Sequence, residues 1–184
     1  MNTRQGEPLA GRERELRALA ESLERLDADG LRVLLLEGEP GIGKTRLLRA
    51  LAGLAGQAGC LVLRGGAWEA GATPYLPFLE AIGQHIRATS AEQLQAQVGQ
   101  AGPILATLFP ELAGRLGPQP LSYPLPEQQA RLRLFDAIGQ LLLALAAPGG
   151  LVLLLDDLHA ADSASLDLLA HLARQLGTQP GPAR

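Results

Sequence analysis

The chain has almost no lysine. Of its 16 basic residues only Lys44 is a lysine, and the rest are arginines. It also has a single cysteine, Cys60, so no internal disulfide can form, which fits a reducing compartment. Cys60 falls in an apolar stretch and reads as a buried, inert thiol. No basic tail or charge run is present and the net charge is −3, so the electrostatic footprint of a nucleic-acid binder is missing and no direct nucleic-acid contact is expected from this segment. The N-terminus, "MNTRQGEPLAGRERELRAL", lacks the apolar centre of a signal peptide. The longest apolar region, Leu141–Leu155, is split by Pro148, Gly149 and Gly150, so it falls short of the roughly 20 residues a membrane helix needs. A cytoplasmic protein without membrane contact is expected. No Cys/His spacing points to zinc, and His85 and His171 are expected on helix faces.

What the chain does have is 47% hydrophobic and 19% charged residues, the composition of a packed globular protein. Leu16, Leu19, Leu23 and Leu26 recur at helical spacing, with Gly30 as a stop. "LRVLLLE", "CLVLRGG" and "LVLLLDDLH" are short, nearly continuous apolar runs, the pattern of strands buried on both faces. Helices are expected over "TRLLRALAGLAGQAG", after Pro77, from Ser90 as a cap, after Pro126, and over "SASLDLLAHLARQLG" with Ser163 or Asp162 as cap and Gly177 as stop. The stretch "AGPILATLFPELAGRLGPQPLSYPLP" reads as irregular, with at most one helical turn. Strands alternating with helices argue for an α/β fold with a parallel sheet. Residues 1–30 read as an N-terminal segment and helix leading into a core over 31–184.

The solitary lysine lies in Gly38-Glu39-Pro40-Gly41-Ile42-Gly43-Lys44-Thr45, the G-x-x-x-x-G-K-[ST] pattern, between an expected strand and an expected helix. The glycines free the backbone so that successive N–H groups can turn inward around phosphate oxygens. The helix that follows presents unpaired N–H groups and a positive dipole end to the same anion. Lys44 reaches the β/γ-phosphates as a compact charge, and the Thr45 hydroxyl can ligate Mg²⁺. Arg46 follows directly, on the first turn of that helix, and is expected among the nucleotide-binding residues with Gly38 to Thr45. A bare Gly-rich turn would not need this lysine and this threonine at this spacing.

Asp156 and Asp157 end the third apolar run, where ligand sites of open α/β sheets lie. Alone, the pair is as readily a solvated strand end as a site. Beside the phosphate loop it fits a division of labour in which Asp156 holds Mg²⁺ and Asp157 orients or deprotonates an attacking water. His159 could help hold the γ-phosphate region or could be a packed turn histidine.

"PLAGREREL", "GEPGIGKTRLL", "LRGGAWEAGATPYLPFLEAI", "LFPEL" and "LVLLLDDLHAADSASLDLLAHLARQL" together resemble the STAND branch of the AAA+ ATPases. More narrowly, the chain is similar to the ATPase module of large LuxR-type transcriptional regulators and to Orc1-like ATPase domains. The resemblance implies a P-loop NTPase fold, a three-layer αβα sandwich, with Gly38 to Thr45 as Walker A and Leu151 to Asp157 as Walker B. It implies ATP and Mg²⁺ as ligands, and it places Gly11 and Arg12 in an N-terminal segment near the adenine. It further implies self-association or downstream domains as partners. Ala160 stands where the family commonly has tryptophan, which puts a stacking role there in doubt. The family's sheet also has a later strand between the phosphate-loop strand and the acidic-pair strand, followed by a lid. Neither is found before Arg184, so a fold truncated before these elements, with weak turnover, is expected. The competing readings are a small P-loop kinase and a nucleotide-binding module without turnover; only Arg174 and Arg184 follow Asp157, few arginines for a kinase lid.

Overall fold

The computed structural model describes residues 11–24, 33–67, 73–117, 125–147 and 149–177. In chain order the elements are α1 (Glu13–Glu24), α2 (Lys44–Gln57), β1 (Leu61–Gly66), α3 (Leu76–Ala88), α4 (Ala91–Val98), α5 (Gly102–Leu108), α6 (Pro110–Leu116), α7 (Glu127–Ala146), β2 (Leu151–Asp156) and α8 (Ser163–Gly177).

β1 and β2 pair in parallel, from Leu61 opposite Leu151 to Gly66 opposite Asp156. Side chains alternate across a strand, so this register sorts residues onto two faces. Val62, Val152 and Leu154 pack with Leu19 of α1 and Leu47 and Leu51 of α2. Leu61, Leu63, Leu151, Leu153 and Leu155 pack on the other face, in a cluster with Phe78, Ile82, Ile138 and Leu168. Helices therefore pack on both faces of a parallel sheet, the expected αβα layering, and both strands are apolar nearly throughout, with Arg64 the exposed exception in β1.

The larger cluster draws mainly on the chain between the strands. Phe78, Ile82, Leu94, Leu105, Phe109 and Leu112 are each at most 1% exposed. The stretch expected to be irregular contributes α5 and α6, each with proline in its first turn. Proline is tolerated there because the N–H it removes has no partner within the helix anyway. Ser90 caps α4 as expected, accepting from the Gln93 N–H at 3.3 Å. Leu26 and the Gly30 stop lie outside the described residues. Cys60 is half-buried rather than buried.

The strand expected over "LRVLLLE" does not form over its described residues, 33–37. Residues 33–39 have no regular structure, and Val33, Leu34 and Leu35 are 60%, 50% and 70% exposed. A strand exists only through a neighbour's ladder, and the described sheet has two strands, β1 and β2. Leu36 alone of these residues packs inward, against the smaller cluster beside α2.

One close approach ties the sheet to α3. A Cβ built on Gly65 would lie 1.8 Å from the Pro77 carbonyl oxygen. Only glycine lets the first turn of α3 rest on β1 at this point. Gly65→Ala is expected to destabilise the fold by about 1–3 kcal/mol through overpacking. Gly53→Ala, within α2 where an added Cβ meets nothing within 4 Å, is expected to stabilise by up to about 1 kcal/mol. Urea unfolding of the two variants checks both signs.

Candidate functional site

The loop from Gly38 to Gly43 leads directly into α2. Gly41 and Gly43 have φ of 81° and 99°, left-handed values that a side chain would make costly. Gly43 is the N-cap of α2 and no side chain caps the helix there, so the first-turn N–H groups are left for another acceptor. Leu47, one turn in, is buried and anchors the helix. Glu39, Pro40, Thr45 and Arg46 are exposed.

Lys44 is folded over the loop. Its Nζ donates to the Gly38 carbonyl at 2.7 Å and the Glu39 carbonyl at 3.1 Å. An ammonium has three N–H donors, so one remains for an incoming anion. A second cation braces the loop from outside. Arg12 Nη2 donates to the Ile42 carbonyl at 3.1 Å, while Arg12 Nη1 pairs with Glu15 at 2.5 Å. The Arg12 guanidinium draws the Glu15 carboxyl below its ordinary range. Gly11, at φ 81°, forms the turn before α1, and its N–H is taken by Glu13 at 3.1 Å. The described N-terminal residues touch the phosphate loop through Arg12.

The β1–β2 register separates the two adjacent aspartates. Asp156 shares the face of Val152 and Leu154, the face that α2 covers. Asp156 and Thr45 line one cavity of about 130 Å³, together with Leu48, Arg49, Arg64, Gly65 and Leu154. Asp156 Oδ1 also accepts the Asp157 N–H at 2.9 Å. Asp157 leaves the strand in the left-handed region, φ 55° and ψ 35°. Such conformations in non-glycine residues cluster at functional sites. Its carboxylate lies outside that cavity and 3.9 Å from His159 Nδ1, so His159 stands beside Asp157 and is not a packed residue, being 81% exposed.

The other histidines are accounted for on helix faces. His85 meets Gln97 at 2.9 Å, and His171 meets Asp136 at 3.0 Å beside the Phe135 ring. Among the described residues no three His, Cys, Asp or Glu side chains cluster as a metal cage. A hydroxyl and one carboxylate still suit Mg²⁺, which keeps several waters and takes further oxygens from substrate phosphates. The left-handed glycine loop, the spare donor on Lys44 and the shared Thr45–Asp156 cavity together fit a magnesium nucleotide. Arg49 and Arg64 also line this cavity, yet motif reading passed over them. An arginine interrupting the apolar run "CLVLRGG" was the available signal.

The family model for the AAA ATPase domain matches residues 8–182. The chain belongs to this family. No curated protein and no solved structure matches it. As an AAA ATPase domain it is a P-loop module for nucleotide binding, and the family's ligands are ATP and, typically, Mg²⁺. Among the described residues of the domain, no helix is long and apolar enough to cross a membrane.

The acidic turn of the AAA ATPase domain runs straight into α8 through Asp162. Asp162 Oδ1 accepts the Ser165 N–H at 2.9 Å and Oδ2 accepts the Ser165 hydroxyl, so Asp162 rather than Ser163 is the cap. Burial pushes the Asp162 carboxyl up, but the hydrogen bonds from Ser165 and nearby backbone outweigh it and leave it below its ordinary range. A lowered folded value means the stabilisation is complete above the unfolded value, about 4, and is lost as pH falls through the folded value. Asp162→Ala should cost about 0.5–2 kcal/mol at neutral pH, and its gap to the parent should close as pH drops below about 4. Thermal melts across pH check this; a gap that holds constant to acid pH would contradict it.

Proposed function

We propose that this AAA ATPase domain is the ATP-binding and slowly ATP-hydrolysing signalling module of a STAND-type regulator. Its nucleotide state biases a conformational or oligomeric switch upstream of transcription, as in the LuxR-type regulators that the chain resembles. The observation that carries the nucleotide part is the convergence of Thr45 and Asp156 on one cavity at the start of α2, next to the loop that holds Lys44. The regulatory part rests on the resemblance. It is supported by the brace from Arg12 to the Ile42 carbonyl, which couples the N-terminal helix to the loop. Self-association or further domains are the partners such a switch would act on, with cytoplasm as its compartment.

In this reading the α2 N–H groups and Lys44 bind and orient the phosphates. Mg²⁺ would be held by Thr45 and Asp156, and when bound it supplies positive charge against the phosphate oxygens. Asp157, exposed at the strand end, orients water and takes its proton. With two of its donors on loop carbonyls, Lys44 also holds the loop's shape, so its removal acts on the loop as well as on charge.

Binding of a fluorescent ATP analogue with Mg²⁺ tests the site. Lys44→Ala is expected to lose about tenfold or more in affinity, the loss of a charge-assisted contact. Asp156→Asn should weaken the dependence of binding on Mg²⁺. Asp157→Asn should leave binding intact and slow ATP turnover on the order of 100-fold. Unchanged affinity in Lys44→Ala would refute the nucleotide site. Parent turnover in Asp157→Asn would remove its role as base.

A further inference from the structure

Arg64 interrupts the apolar run of β1. It lies between Leu63 and Gly65, both buried, and is itself exposed. By strand alternation it shares a face with Val62, which packs in the small core beside α2. Its partner in register is Leu154, only 8% exposed. Two residues further along β2, on the same face, is Asp156. A diagonal neighbour of this kind is within reach of a long side chain. Even so, Arg64 and Asp156 form no ion pair, and among the described residues neither Arg64 nor Arg49 has a carboxylate or hydrogen-bond partner. Asp156 accepts the Asp157 N–H instead.

The cavity shared by Thr45 and Asp156 is thus lined by two uncommitted guanidiniums and one carboxylate. Its formal charge is positive before any metal binds. A planar fork with five donors matches the oxygens of a phosphoryl group in a way that a lone ammonium does not. Arg64 and Arg49 are both exposed, so their guanidiniums are open to an incoming ligand, and what points to an anion is their convergence with Thr45 and Asp156 on one cavity.

We propose that Arg64 contacts the terminal phosphate of a bound nucleoside triphosphate, so that the cavity it lines with Thr45 and Asp156 distinguishes triphosphate from diphosphate. The inference rests on the nucleotide-binding reading above and assigns the strand arginine a part in it. Lys44 and the α2 N–H groups grip whichever phosphates are present. Arg64 reports whether the last one is there, and it does so from the central sheet, where a change in its contacts is felt by β1 and by α3 packed upon it. Arg49, one turn along α2 from Thr45, adds charge to the same cavity.

The test compares binding of fluorescent ATP and ADP analogues, each with Mg²⁺, to the parent chain, Arg64→Ala, Arg64→Lys, and Arg133→Ala as a charge control on the exposed face of α7. In Arg64→Ala, ATP affinity should fall about tenfold while ADP affinity stays within about twofold. Arg64→Lys should restore part of the ATP affinity, and Arg133→Ala should change neither. Melting temperatures without nucleotide should match the parent, showing that the loss is in recognition rather than folding. If ATP and ADP affinities fall equally, or their ratio is unchanged in Arg64→Ala, the assignment of Arg64 is overturned. If the parent binds ATP and loses it in Lys44→Ala while Arg64→Ala behaves as the parent, only the Arg64 inference fails. A parent that binds neither nucleotide overturns both readings.

Discussion

The parallel ladder between β1 and β2 is the constraint on which the rest of the molecule depends. It is short, but its register sends one set of side chains toward α2 and the other toward α3, α7 and α8. A shift of one residue would exchange these sets and carry Asp156 to the wrong face. The register is secured on one side by Gly65, which lets the start of α3 rest against backbone. On the other side it is secured by the small cluster of Val62, Val152, Leu154 and the leucines of α2. The packing that stabilises the sheet and the placement of the acidic end are therefore one feature.

The phosphate loop relies on different forces. It has little apolar anchoring of its own: Ile42 is 48% exposed, and the residues leading into it carry exposed Val33, Leu34 and Leu35. What orders it is polar. Lys44 bridges two loop carbonyls, Arg12 reaches a third, and two left-handed glycines set the turn. Each cation takes up carbonyl oxygens of the loop, so these acceptors are not left to face an anion. This is the polarity an anion requires, and a loop tied through its carbonyls keeps that polarity before any ligand arrives.

Much of this was legible in the order of residues. The glycine spacing with Lys44 and Thr45, and the acidic pair after an apolar run, marked the candidate site because each chemical need maps onto a short local pattern. β1, β2 and most helices were readable for the same reason, since periodicity is a local signal. The strand before the loop was misread because an apolar run states only that burial would be favourable, not that a neighbour is there to pair with it. α5 and α6 lie in a stretch whose many prolines and glycines read as irregular, whereas Pro103 and Pro110 fall in first turns, where proline is compatible with a helix.

By itself, then, the sequence determined the family and singled out the loop residues proposed to bind phosphate, because such a loop is encoded in a few adjacent positions. Only the tertiary structure decided that Asp156 and not Asp157 faces α2, that Arg12 touches the loop across a separation of 30 residues, and that Arg49 and Arg64 share the cavity. Those facts depend on register and on which helix covers which face. Such relations are set by packing between distant segments, and no window along the chain contains them.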